Sequence, residues 1–85
     1  IDNENVASVL NGMVMYVNCE INNAYTIIIK HTDYISIYRG LKTPLKQIGD
    51  RIQAGECIGI AKKGQLGFEL WKNDVAVDPE KLIAF

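Results

Sequence analysis

The chain has 85 residues, 48% of them apolar and 22% charged, a balance that packs as one small domain and excludes intrinsic disorder, a fibrous repeat or a second domain. Its formal net charge is −1 and its nine Lys and Arg are scattered, so no basic stripe exists to neutralise phosphates and nucleic acid is not an expected partner. No run of 18 apolar residues occurs, so no membrane span is expected within these residues.

The first residue is Ile1 rather than Met, as expected of a piece trimmed from a longer protein. From there the dominant period is two, with β-branched and aromatic residues in short runs divided by Gly, Asn, Asp and Pro. Residues 6–10 are a predicted strand, closed by Asn11-Gly12, a pair suited to a turn with positive φ, and residues 13–18 are its predicted hairpin partner. A polar stretch over 19–24, with Asn22-Asn23, leads into 25–31, where Ile27, Ile28 and Ile29 predict a strand covered on both faces at the centre of a sheet. Thr32-Asp33 is a tight turn into 34–39. Here Tyr34, Ser36 and Tyr38 alternate with Ile35 and Ile37, which predicts a wet face for the first set and a buried face for the second.

Residues 41–47 read as irregular, because Pro44 cannot donate to a ladder. Two Gly-centred turns then flank short apolar pieces over 48–55. Residues 56–61 are the next predicted strand, Lys62-Lys63-Gly64 its turn, and 65–71 the returning strand with Leu66, Phe68 and Leu70 on one face. Asn73-Asp74 closes a last hairpin into 75–77. Asp78-Pro79 resembles a helix cap with Pro at the first position, which predicts at most one helical turn over 80–83. The expected fold is all-β, a small antiparallel two-sheet sandwich or half-barrel whose core includes Val14, Ile27, Ile29, Ile37, Ile58, Phe68 and Leu70.

Few residues carry chemistry. Cys19 and Cys57 either pair in an oxidising compartment or serve as small buried hydrophobes, and no Cys-x-x-Cys motif is present. Lys62 and Lys63 lie at a predicted hairpin tip, where a biotinyl or lipoyl carrier shows its modified lysine, but their neighbours Ala61 and Gly64 do not match a carrier, so solvated turn lysines are expected. Glu69 with Asp78 reads as an acid–base pair or as fold-supporting acceptors. The four Tyr and the single Trp read as ordinary strand residues or as a glycan-stacking surface.

Three segments in order carry a resemblance. Ile28-Ile29-Lys30-His31 followed by Tyr34-x-Ser36-x-Tyr38-x-Gly40-Leu41 is similar to a strand ending His-Gly that leads to Tyr-x-Thr-x-Tyr-x-His-Leu. Ile48-Gly49-Asp50-Arg51-Ile52-x-Ala54-Gly55-x-x-Ile58-Gly59 resembles Val-Gly-Asp-x-Val-x-x-Gly-x-x-Ile-Gly. Gln65-Leu66-Gly67-Phe68-Glu69-Leu70, then Val77-Asp78-Pro79, resembles His-x-His-Phe-Glu-Leu and Val-Asp-Pro. Together they resemble the lysostaphin- or LytM-type metallopeptidase domains, from residue 6 to residue 85. The resemblance implies a half-barrel of the barrel-sandwich hybrid kind. It also makes His31, Tyr38, Gly49, Asp50, Gly55, Gly59, Phe68, Glu69, Asp78 and Pro79 fold signatures, with Asp50 accepting backbone N–H bonds in its turn.

In active members, the resemblance implies, zinc is held by the His and Asp of an N-terminal His-x-x-x-Asp and by the second His of His-x-His, while two further histidines assist. Here Gln65 and Gly67 stand at the two His-x-His positions and Gly40 at the His of Tyr-x-His-Leu. Ile1-Asp2 gives no match to the N-terminal pair, because no His precedes it and Asp2 lies too close to Val6. The sequence has one histidine, His31, at a position the family does not use for metal. The Gly-rich loop before His-x-His is reduced to Lys62-Lys63-Gly64, so the groove is expected to be remodelled along with the metal position.

The expected function is therefore a catalytically inactive, peptidase-like module of the cell envelope that recruits or regulates another envelope protein, with no metal and no cofactor. The alternative is a non-catalytic peptidoglycan-binding module, and an active zinc endopeptidase would need ligands from outside these residues. The resemblance implies an extracytoplasmic location, periplasmic or at the cell surface. Tyr38, Arg39 and Lys63, beside the altered positions, are the expected partner contacts.

Overall fold

The computed structural model describes residues 3–72 and 75–77, so Asp78, Pro79 and the turn expected over 80–83 lie outside the described residues. Among the described residues every regular element is a strand: β1 (Asn3–Ala7), β2 (Gly12–Cys19), β3 (Tyr25–Lys30), β4 (Ile35–Pro44), β5 (Arg51–Ile52), β6 (Cys57–Lys62), β7 (Gly67–Lys72) and β8 (Val75–Val77). All pairings are antiparallel, in the order β1-β6-β4-β3-β2-β5, with β7 branching from β4 and β8 from β7. The all-β half-barrel follows from one strand. Along one edge of β4, residues from Ile35 to Arg39 pair with β7 and residues from Leu41 to Pro44 pair with β6, while its other edge pairs with β3. The change of partner falls at Gly40, whose φ is 78°, a left-handed value that bends the strand and opens two arms that close over the core.

That core is Val6, Val14, Ile27, Ile29, Tyr38, Leu41, Ile52, Ile58 and Ala61, none more than 4% exposed. Leu70 is equally buried, and Val17, Tyr25 and Phe68 pack against the cluster. The central position of β3, between β2 and β4, matches the sequence reading, as does the β7–β8 hairpin. Asn23 adopts φ of 65° in the turn between β2 and β3, the left-handed conformation Asn tolerates.

Other expectations are corrected. The strand over 6–10 does not form a hairpin with 13–18: β1 pairs with β6, and the intervening residues cross to β2. The crossing segment satisfies its polar groups elsewhere, with Ser8 N–H donating to the Glu56 carbonyl and Val9 N–H to the Tyr38 hydroxyl. Gly12 is needed there for space rather than for positive φ, since a Cβ would lie 2.7 Å from His31 Nδ1 and 2.8 Å from Ile29 Cγ2. β6 and β7 are not a hairpin either, because each joins a different half of β4. Nor is 41–47 wholly irregular: β4 runs to Pro44, where a missing N–H at the strand end is tolerated.

The faces of β4 are the reverse of those expected. Ser36 and Tyr38 are buried, and Ile35 and Ile37 are half-exposed on the outer side. Ile37 and Phe68 are thus only partly buried, and Leu66 is exposed. Both cysteines are free thiols, Cys19 exposed and Cys57 half-buried, so Cys19 is not a core residue.

Among the described residues one buried side-chain group lacks a partner. Thr26 is 2% exposed, and its hydroxyl makes no hydrogen bond. It lies where the β3–β4 register shifts, between the pairs Tyr25–Leu41 and Ile27–Tyr38. An orphaned buried hydroxyl costs about 1–3 kcal/mol, and Val keeps the β-branched shape without it. Thr26→Val should therefore raise stability by about 1 kcal/mol in urea denaturation; a loss of that size would show that the hydroxyl has a partner.

Candidate functional site

The bend at Gly40 and the start of β7 bring Gly40, Gln65 and Gly67 together. The turn after β6 is closed by Gln65 N–H donating to the Lys62 carbonyl at 2.9 Å, with Gly64 at φ of 81°. This turn lays the Gln65 backbone against Gly40: a Cβ built on Gly40 would overlap the Gln65 carbonyl oxygen and lie 3.1 Å from its carbonyl carbon. Gly67 pairs with Arg39 across the β4–β7 ladder and has ordinary room, with Arg39 Cβ 3.5 Å from where its own Cβ would be. Gln65 and Lys63 are exposed.

Arg39 is exposed, but its guanidinium is engaged. Its Nε donates to Glu69 Oε2 at 2.9 Å, and Trp71 Nε1 donates to Glu69 Oε1 at 3.1 Å. The Arg39 bond first, and the Trp71 bond second, hold the Glu69 carboxyl below its ordinary value of 4.5. Glu56 is likewise lowered, by Lys46 and then by the Gln53 N–H. A carboxylate with a depressed folded-state pKa contributes stability above its unfolded value, and that contribution is lost as pH falls through the folded one. Both side chains are solvated, so the effect is small and salt-sensitive. Glu69→Gln should flatten the decline in melting temperature below pH 4.5 and leave stability near neutrality little changed. An unchanged acid limb would show that Glu69 has no such role.

Tyr38, expected at the surface, is a core residue. It is 1% exposed, its ring lies 5.3 Å from that of Phe68, and its hydroxyl accepts the Val9 N–H at 3.1 Å. Alternation placed it outside because Ser36 and Tyr38 carry hydroxyls, yet each hydroxyl is satisfied within the fold. Ser36 bonds His31 Nε2 at 2.7 Å, and His31 Nδ1 lies 2.5 Å from the Asn11 carbonyl. A carbonyl only accepts, so Nδ1 donates to it, and Nε2 shares a second hydrogen bond with the Ser36 hydroxyl. His31 is 5% exposed, and both ring nitrogens are occupied in fastening the β1–β2 crossing to β3 and β4.

The remaining signature residues support turns. Asp50 Oδ2 accepts the Gln47 N–H at 2.8 Å, Gly49 N–H donates to the Val14 carbonyl and Gly55 N–H to the Ser8 carbonyl. Gly59 packs beneath Leu41, where a Cβ would lie 3.0 Å from the Thr43 carbonyl oxygen. From sequence Asn11 read as a turn residue and Ser36 as part of a wet strand face, neither as a partner of His31. The pointer to Ser36 was a small polar residue between two isoleucines, five positions after the only histidine.

Known proteins match this chain over nearly its whole length. The model of peptidase family M23 matches residues 1–79, whereas no curated protein matches. Among solved structures, a chain of the SpoIIQ–SpoIIIAH pore-forming complex superposes with a TM-score of 0.85 at 21% identity, over 95% of this chain and 57% of that one. Csd3 of Helicobacter pylori superposes with a TM-score of 0.85 at 19% identity, over 95% of this chain and 24% of that one. A variant catalytic domain of the prophage-encoded M23 protein EnpA from Enterococcus faecalis gives 0.72 at 21% identity, over 89% of this chain and 67% of that one. The chain thus spans 57% of the length of the first of these, and at such identities the likeness is one of fold. With the family model covering all but the last residues and the half-barrel reproduced in these structures, the chain belongs to peptidase family M23.

Proposed function

We propose that this chain is a non-catalytic, peptidase-like interaction module of the cell envelope, acting outside the cytoplasm by holding another envelope protein. The observation that carries the reading is Gly40. At the position where the resemblance expects an imidazole, the backbone is left-handed and the Gln65 carbonyl fills the space a side chain would enter. A point loss of histidine would leave room behind it, and here the room is gone.

The residues at the three positions do not fit a zinc ion. A catalytic zinc needs three protein ligands of His, Asp, Glu or Cys type and an open position for water. Gly40 and Gly67 have no side chain, a Gln65 amide is a poor ligand that cannot serve as a base, and both nitrogens of His31 are spent on Asn11 and Ser36. That the same fold occurs in a complex of SpoIIQ with SpoIIIAH supports a protein partner as the ligand.

The direct test is metal analysis of the untagged chain, together with incubation with a peptidoglycan cross-linking peptide. The expected result is substoichiometric zinc and an uncut peptide. Stoichiometric zinc with cleavage that a chelator abolishes would overturn the reading. Saturable retention on purified peptidoglycan with no protein partner would replace it with a glycan- or stem-peptide-binding module.

A further inference from the structure

The outer face of the β5-β2-β3-β4-β7 arm is apolar, and no described element covers it. Register aligns Arg51, Met13, Lys30, Ile35 and Trp71 in one row across five strands, beside a second row of Tyr16, Ile28, Ile37 and Glu69. Met13 is 43% and Met15 47% exposed, and Ile28, Ile35, Ile37 and Trp71 are half-exposed. Met15, these isoleucines and Trp71 line one shallow depression of about 540 Å³ with Tyr34 at its side. Soluble domains rarely leave so many large apolar side chains together, and Trp, Tyr, Met and Arg are the residues enriched where proteins meet.

Two features specify the occupant. The first is backbone supply: β3 and β4 are paired along both edges, and β2 and β7 meet their second neighbours over two and three residues, so a segment lying across the face of β3 and β4 finds no ladder to join. A single segment lying there must satisfy its own N–H and C=O groups, which a helix does and a lone strand cannot. The five-strand row is roughly 19 Å long at about 4.8 Å per strand, the length of about 13 helical residues at 1.5 Å each.

The second feature is charge. Among the described residues the two ion pairs are Arg39–Glu69 and Lys46–Glu56, which leaves Lys30 and Arg51 in the row without an acidic partner. Lys72 sits 5.3 Å over the Tyr34 ring, and the Trp71 depression itself is lined by one cation, Lys30, and one carboxylate, Asp33. A second copy docking through the same face about a two-fold axis would bring a second Lys30 and Arg51 to the interface and no new unpaired carboxylate beyond its own Asp33. A helix that carries carboxylates along its apolar stripe would pair them.

We infer that this face is the docking surface for an amphipathic helix of a partner protein, with an apolar stripe seated over Ile35, Ile37 and Trp71 and carboxylates meeting Lys30 and Arg51. The inference rests on the interaction-module reading and names its surface. Trp71 is the only Trp of the chain, so its fluorescence reports occupancy. The probes are two synthetic helices of about 14 residues with leucines at i, i+3, i+4 and i+7, one flanked by Glu and one by Lys.

The Glu-flanked helix should shift Trp71 emission saturably and bind at least about fivefold tighter than the Lys-flanked one, with the preference shrinking in high salt. Lys30 is exposed, so Lys30→Glu should keep the fold, checked by circular dichroism, and reverse the order of the two helices. Ile35→Asp should abolish both signals. The proposal is overturned if neither helix moves Trp71, or if both bind equally and Lys30→Glu changes nothing. It is also overturned if the chain dimerises by light scattering with Trp71 buried, or if anionic vesicles shift Trp71 and the helices do not. Zinc-dependent cleavage would sink the non-catalytic reading separately, since the helix titration does not depend on it.

Discussion

Replacing Tyr38 with Ala should lower stability by about 4–8 kcal/mol and leave much of the population unfolded at 25 °C. The side chain is 1% exposed, so truncation removes an aromatic ring from the centre of the core and opens a cavity that neighbouring strands, held in their ladders, fill only in part. The contact with Phe68, at 5.3 Å between ring centres, is lost with it, and the Val9 N–H is left without the hydroxyl it donates to. Tyr38→Phe separates the two effects: packing remains, and the lost hydrogen bond alone should cost about 1 kcal/mol. Phe68→Ala should fall between them, at about 1–3 kcal/mol, because Phe68 is only half-buried and leaves a shallower hole. The check is the midpoint of urea unfolding for all three variants. A Tyr38→Ala chain as stable as wild type would show that the ring faces solvent and would return Tyr38 to the candidate partner surface.

Tyr38 also shows where the sequence was legible and where it was not. Alternation located β4 correctly in its first half but assigned its faces by polarity, and Ser36 and Tyr38 look polar. Their hydroxyls are consumed inside the fold, by His31 and by the Val9 N–H, so the wet-looking face is the buried one. The isoleucines on the other face are half-exposed and belong to an apolar surface that period-two reasoning assigns to the core. Long-range pairing was the second blind spot. A hairpin is the default for consecutive strands, and β1 and β6 escape it because β4, bent at Gly40, offers one edge to two strands in turn. Nothing local to residues 6–18 encodes that. The turn chemistry was legible, since Asp50 accepts the Gln47 N–H and Asn23 takes the left-handed conformation. The family came from motif order rather than from periodicity.

Restoring histidine at Gly40 should fail for a reason the sequence did not show. The residue holds φ of 78°, where a non-glycine side chain costs about 1–3 kcal/mol, and its first side-chain atom would enter the Gln65 carbonyl. Gly40→His should therefore destabilise the chain by about 3–5 kcal/mol, or be accommodated only by lifting the turn between β6 and β7 off β4. The other two positions differ. Gln65 is exposed, and Gly67 has ordinary van der Waals room beside Arg39, so Gln65→His with Gly67→His should fold with little loss of stability. That double variant gains two imidazoles but remains short of three ligands in a fixed array, and zinc should bind it weakly, without cleavage of a cross-linking peptide. Adding Gly40→His to the pair should lower the urea midpoint sharply and still produce no cleavage. The decisive comparison is the double against the triple variant, by urea unfolding and by zinc content after dialysis. A triple variant as stable as the double, holding one zinc per chain and cutting the peptide, would mean that the Gln65 backbone does not close the position and that this fold is one substitution set away from catalysis.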